Sequence, residues 1–121
     1  ARTLPYIDFD LIEKNPKILL GYSDITALLN PIFDKTGLMT FHGPIAGGSW
    51  NRFTTQNVKE ILFDGAAQHM VNPQEKGEYL AVRQNRTETI VSGKAQGRLV
   101  GGNLTVLTAL QGTPYFPDTK G

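Results

Sequence analysis

One stretch limits the possible folds more than any other: Lys17-Ile18-Leu19-Leu20-Gly21-Tyr22-Ser23-Asp24-Ile25-Thr26. The apolar run ending at Gly21 reads as a short buried strand. After it, apolar residues return at Ile25, Leu28, Leu29, Ile32 and Phe33. Steps of three and four put them on one face of an amphipathic helix. A strand that turns sharply into a helix is the basic step of a layered α/β fold. Pro31 lies inside the helical pattern. In a regular helix interior it costs about 3 kcal/mol, so a kink or break is expected near Leu29.

The flanking elements follow from similar signals. Asp8 or Asp10 is expected to cap a short helix through about Glu13, ended by Asn15-Pro16. Lys35-Thr36-Gly37 supplies a helix stop, and Leu38 to His42 reads as a second strand closed by Gly43-Pro44. A glycine loop follows, with Gly47, Gly48 and Trp50. Thr54 or Thr55 is expected to cap a third helix, with Val58, Ile61 and Leu62 on one face and Asp64-Gly65 at its end. Beyond Gly65, Gln68–Val71, Glu78–Val82 and Thr87–Val91 suggest short strands. A last helix is expected after Asn103, burying Leu104, Leu107 and Leu110 and ending at Gly112-Thr113-Pro114. The expected fold is therefore α/β. Residues 1–73 form part of an N-terminal parallel-sheet domain, 74–94 a β-rich connection, and 95–121 the start of a smaller C-terminal domain.

Composition narrows the chemistry. With 121 residues, 40% hydrophobic and 19% charged, the chain suits a folded domain rather than a disordered one. A net charge of +1, without a run of Lys or Arg, gives no electrostatic case for nucleic acid or an anionic membrane. There is no cysteine, which removes disulfides, thiolate metal sites and a cysteine nucleophile, and fits a reducing compartment. The cytoplasm is the expected location. No apolar run approaches the roughly 20 residues that span a bilayer. His42 and His69 are the two histidines, and neither lies in a metal-binding spacing, so no metal or cofactor is expected.

Ser23 is the candidate for chemistry. A serine on a tight strand-to-helix turn holds its oxygen on a rigid tip beside free helix N–H groups, which can stabilise a developing oxyanion. This is the logic of a nucleophile elbow. The usual elbow is Gly-x-Ser-x-Gly, whereas Ile25 occupies the last position here. From spacing alone, a helix cap is the favoured reading of Ser23, and Asp24 reads as a first-turn acid favoured by the helix dipole. His42 follows a strand expected to neighbour that of Ser23; packing and hydrogen bonding at the strand end is its favoured role, ahead of general base. Gly101-Gly102-Asn103 lacks the ending of a phosphate-binding loop and reads as a close turn and helix cap.

Several blocks together are more specific. Leu4-Pro5-Tyr6-Ile7-Asp8, Gly21-Tyr22-Ser23-Asp24-Ile25-Thr26-Ala27-Leu28, Thr36-Gly37-Leu38, Thr40-Phe41-His42-Gly43-Pro44 and Gly101-Gly102-Asn103-Leu104 run in order. With Gly112-Thr113-Pro114-Tyr115 they extend over nearly the whole chain, which resembles the LD-carboxypeptidases of peptidase family S66. The resemblance implies a metal-independent serine hydrolase that cleaves the amide to the terminal D-amino acid of a murein tetrapeptide in cell-wall recycling. A microcin-immunity-like amidase is the alternative within that family. A binding module that keeps the fold without the chemistry is the alternative outside it.

The resemblance implies Ser23 as nucleophile and the backbone N–H of Asp24 as half of an oxyanion hole. The glutamate and histidine of the triad are expected beyond Gly121, so the chain looks like a central fragment. Gly47, Gly48 and Trp50 are candidate substrate contacts. The expected partners are a murein-derived peptide and, in the complete protein, a second copy of itself.

Overall fold

A computed structural model describes residues 2–69 and 90–120. It divides into two compact units, Ala1–Ile45 with Gly97–Gly121, and Ala46–Gln96. The mixed helix and parallel-strand architecture is α/β.

The first unit opens with a 3-10 turn at Leu4–Tyr6 and helix α1, Phe9–Lys14. Asp8 caps α1 by accepting the Leu11 N–H at 2.8 Å. Strand β1 is only Leu20–Gly21. A second 3-10 turn, Ser23–Ile25, leads into α2, Thr26–Thr36. Helix α2 ends at Gly37, which takes the left-handed conformation at φ 69° and returns its N–H to the Phe33 carbonyl at 2.8 Å. Strand β2, Phe41–His42, then lies parallel to β1, pairing Leu20 with Phe41 and Gly21 with His42. The helix is thus the crossover of a β-α-β unit.

Of the kink or break expected near Leu29, the break does not occur, since α2 runs unbroken through Pro31. Proline has no N–H to offer the Ala27 carbonyl, but its ring is one of the most deeply buried side chains among the described residues. Apolar burial there favours keeping the helix intact. Nearby, the Leu29 carbonyl accepts from Thr40 Oγ1 at 3.0 Å, which ties α2 to the segment entering β2.

Helix α2 supplies the centre of the core. Leu4, Ala27 and Leu110 are buried together, with Ile7, Leu28, Val106, Tyr115 and Phe116 packed against them. Leu4 and Leu110 are each about 1% exposed, and burying such a side chain contributes roughly 1.5–3 kcal/mol. Helix α3 in the order of the chain is Arg52–Leu62, and α4 is Leu104–Thr108. In α4 the expected buried face is only partly correct. Leu110 is buried, but Leu104 is 72% exposed and Val106 packs on the core in its place. A helix this short, turning at Ala109, does not carry a three-residue stripe onto one surface.

The second unit contains α3. Asn51 caps it, accepting the Thr54 N–H at 2.8 Å, rather than Thr54 or Thr55 doing so. Asparagine is at least as good a cap as threonine, and Asn51 lies one helical turn earlier. Val58, Ile61 and Leu62 are each half-buried, as the one-face pattern requires. The three expected strands beyond Gly65 fall mostly on residues 70–89, outside the described residues. Among the described residues no helix is long and apolar enough to cross a membrane.

Candidate active site

The site grows from the end of β1. Tyr22 is still extended, at φ −135° and ψ 148°. Ser23 then turns to φ 57°, the one non-glycine residue with positive φ among those described. For an L-residue this costs on the order of 1–2 kcal/mol, so the surroundings must hold it. Part of the explanation is Gly21. A Cβ at Gly21 would collide with Ile25 Cγ2 and lie 2.8 Å from Ile25 Cβ. The strand and the following turn therefore approach so closely that one of them must lack a side chain. Here Gly21 alone provides the room, and Ile25 can stand where the usual elbow has its second glycine.

Ser23 is not the cap of α2. The N-cap position of that helix is Ile25, which makes no side-chain cap bond. The Ser23 hydroxyl instead faces Asn103, whose Nδ2 donates to Oγ at 3.4 Å. Its backbone N–H donates to Nε2 of His42 at 3.1 Å. Asp24 follows in the turn and is exposed.

Asn103 comes from far along the chain, and its position is built with care. Asn103 Oδ1 caps α4 by accepting the Val106 N–H at 3.1 Å, which leaves Nδ2 for Ser23. Its own N–H donates to Thr26 Oγ1 at 2.8 Å, and Thr26 is fully buried. Just before it, Gly101 and Gly102 adopt φ 152° and 134°, in the region that favours glycine. A Cβ on Gly102 would collide with Thr26 Oγ1 and sit 3.1 Å from the imidazole Cδ2 of His42. The Gly-Gly-Asn block thus lies flat on the start of α2 and against His42.

Of the residues singled out from sequence, Ser23, Asp24 and His42 are brought together at the end of the β1–β2 pair. Gly47, Gly48 and Trp50 belong to the other unit, where residues 46–48 form a turn. His69 also lies in that unit and is exposed. Thr26 and Asn30 were missed as contributors, and Asn103 was read only as a cap. Their common signal is the resemblance blocks that contain Thr26 and Asn103, since no local spacing joins residues so far apart.

The chain matches known proteins along most of its length. Residues 1–43 match the LD-carboxypeptidase N-terminal domain, and residues 96–121 match the LD-carboxypeptidase C-terminal domain. A probable murein peptide carboxypeptidase of Bacillus subtilis is 42% identical over 125 residues, covering 95% of this chain and 34% of the relative. The murein tetrapeptide carboxypeptidase of Pseudomonas aeruginosa is 29% identical, covering 93% of this chain and 36% of its own length. Among solved structures, the microcin C7 self-immunity protein MccF in its wild-type apo state superposes with a TM-score of 0.71 at 31% identity, covering 98% of this chain and 41% of that one. The chain thus spans between a third and about two fifths of the length of these proteins. Two domain matches in the family's order, and a shared fold over nearly every residue, make the chain a member of the LD-carboxypeptidase family, peptidase family S66.

Proposed function

We propose that this chain carries the nucleophile of a serine LD-carboxypeptidase, and that the whole protein releases the terminal D-amino acid of a murein tetrapeptide. The observation that carries the reading is Ser23 at φ 57° between β1 and α2, with its hydroxyl turned toward Asn103 rather than used as a helix cap. A strained serine at a strand-to-helix turn is the arrangement an acyl-transfer nucleophile needs. The names of the murein peptide carboxypeptidases among its relatives support the substrate.

In this mechanism Ser23 Oγ attacks the carbonyl carbon of the scissile amide while a base takes its proton. The negative charge that develops on the carbonyl oxygen is met by the Asp24 backbone N–H. The C–N bond breaks as the amine receives the proton and leaves, and an ester to Ser23 remains. Water then adds to the ester, and the free acid departs with the serine restored.

Asn103 cannot be the base, because the group it turns to Oγ is a donor. His42 commits Nε2 to the Ser23 N–H. The base is therefore assigned to the glutamate–histidine pair that the family resemblance puts beyond Gly121, so the 121 residues alone are inactive in this reading. Gly47, Gly48 and Trp50 are the proposed substrate-contacting loop.

The likeness to a microcin self-immunity protein favours a second reading, in which the same serine cleaves an amide in a peptide antibiotic. The test is D-alanine release from an L,D-linked murein tetrapeptide by the full-length protein and its Ser23→Ala variant. Release by the wild type and a loss of several orders of magnitude in a folded variant are expected. Equal release by both would remove Ser23 from the chemistry. If neither releases D-alanine but the wild type alone cleaves a microcin-type amide, the second reading replaces the first.

A further inference from the structure

The partner of the Ser23 backbone N–H is unusual for its place in the fold. Strands β1 and β2 form a regular parallel ladder, with the Phe41 N–H donating to the Leu19 carbonyl at 2.9 Å and the Gly43 N–H to the Gly21 carbonyl at 2.8 Å. In a parallel ladder the bonds are evenly spaced, and every second residue of a strand makes both its N–H and its C=O bond to the neighbour. The next rung would run from the Ser23 N–H to the Gly43 carbonyl. It is replaced because Ser23 has left the strand for φ 57°. The N–H finds the imidazole Nε2 of His42 at 3.1 Å instead.

We infer that His42 is a positioning residue for the nucleophile: its neutral imidazole supplies the acceptor that the sheet no longer can, and so holds Ser23 in the strained conformation. This inference rests on the reading of Ser23 as nucleophile. An imidazole nitrogen that accepts an N–H carries no proton, so the ring proton of His42 is on Nδ1. The ring is held by its neighbours. The Tyr22 ring is 5.8 Å away at 48°, and Gly102 leaves space beside Cδ2 that a side chain would occupy. His42 sits on β2, opposite Gly21, at the position in the register from which a side chain can reach past the end of the ladder.

The role differs from that of a base. Nε2 is engaged by the backbone nitrogen of Ser23 and its lone pair is not available to Oγ. It differs also from packing, because what matters is an acceptor and not the volume of the ring. Removing the acceptor leaves the N–H of a strained residue without a partner, and the Ser23 turn is then free to relax.

The test uses the full-length protein with His42→Ala and His42→Gln, and Ser23→Ala as control. A fluorophosphonate probe reads the reactivity of the serine without depending on the natural substrate, and the D-alanine assay separates kcat from KM. Loss of one supporting hydrogen bond predicts that the labelling rate and kcat fall about tenfold or more in His42→Ala, with KM little changed. The glutamine variant, which keeps a side-chain acceptor, recovers a large part of the loss. Spectra of the wild-type protein labelled with 15N-histidine are expected to show His42 with its proton on Nδ1.

An Ala variant labelled as fast as wild type overturns the inference, as does a His42 ring protonated on Nε2. If His42→Ala fails to fold, a Gln variant as slow as a Ser23 turn with no acceptor, or the wrong tautomer, still overturns it. Labelling of Ser23→Ala at the wild-type rate shows that the nucleophile is another residue, a separate result that removes the basis of the inference.

Discussion

Asn30 grips Gly101 at both ends of the same residue. Its Nδ2 donates to the Gly101 carbonyl at 2.8 Å, and the Gly101 N–H donates back to Oδ1 at 3.1 Å. The same Nδ2 also reaches the Thr26 carbonyl at 3.1 Å, one turn earlier in α2. Asn30 is 5% exposed, so these bonds are made where water competes poorly. The result is a clamp from the crossover helix to the loop that presents Asn103. Asn30→Leu is expected to lower stability by about 2 kcal/mol, because the partly buried N–H and C=O of Gly101 lose their partners. It should also slow turnover by displacing Asn103 from Ser23. Denaturant unfolding of the full-length protein and steady-state kinetics check both, and an unchanged midpoint would count against the clamp.

The strained serine predicts a trade between stability and activity. Glycine accepts φ 57° without penalty, whereas alanine does not. Ser23→Gly is therefore expected to be more stable than Ser23→Ala by about 1 kcal/mol, with both inactive. Urea midpoints measured at equal slope give the difference. Equal midpoints would mean that the turn relaxes when the hydroxyl is removed.

Gly21 and Ile25 should behave as a coupled pair. Gly21→Ala forces a Cβ into the Ile25 side chain and is expected to cost about 1–3 kcal/mol. Ile25→Gly would create the familiar second glycine and open that space. In the double variant the cost of the alanine should largely vanish, apart from the helix-start cost of the new glycine. A double-mutant cycle isolates the pair term, and additivity of the two changes would show that the close approach is not what demands Gly21.

What was legible in the sequence was whatever depends on near neighbours. Asp8 and Asn103 cap their helices, and Gly37 stops α2, each through a bond to a residue three or four positions away. The strand, serine and helix were legible for the same reason. Pro31 does not break α2 because its local cost is outweighed by a buried position that only the tertiary structure reveals. Asn51 took the cap expected of Thr54 or Thr55 because several good caps stood in line and only one matched the helix start. The surroundings of Ser23 were not legible beyond the resemblance. Nothing in the spacing of His42, Gly102 and Asn103 tells that one accepts the serine N–H, one yields space to that histidine, and one donates to the serine hydroxyl.

The separation of 80 positions between Ser23 and Asn103 has a kinetic consequence. The β1-α2-β2 unit closes over a short loop, and the entropy of closure grows with the logarithm of the length enclosed. The Gly101–Asn103 segment must return across a far longer stretch before Asn30 and Thr26 can receive it. The strand and helix around Ser23 are therefore expected to be in place early, while the hydroxyl acquires its asparagine late. A newly made chain is thus expected to pass through a stage in which the Ser23 turn is already formed but Asn103 has not yet reached it.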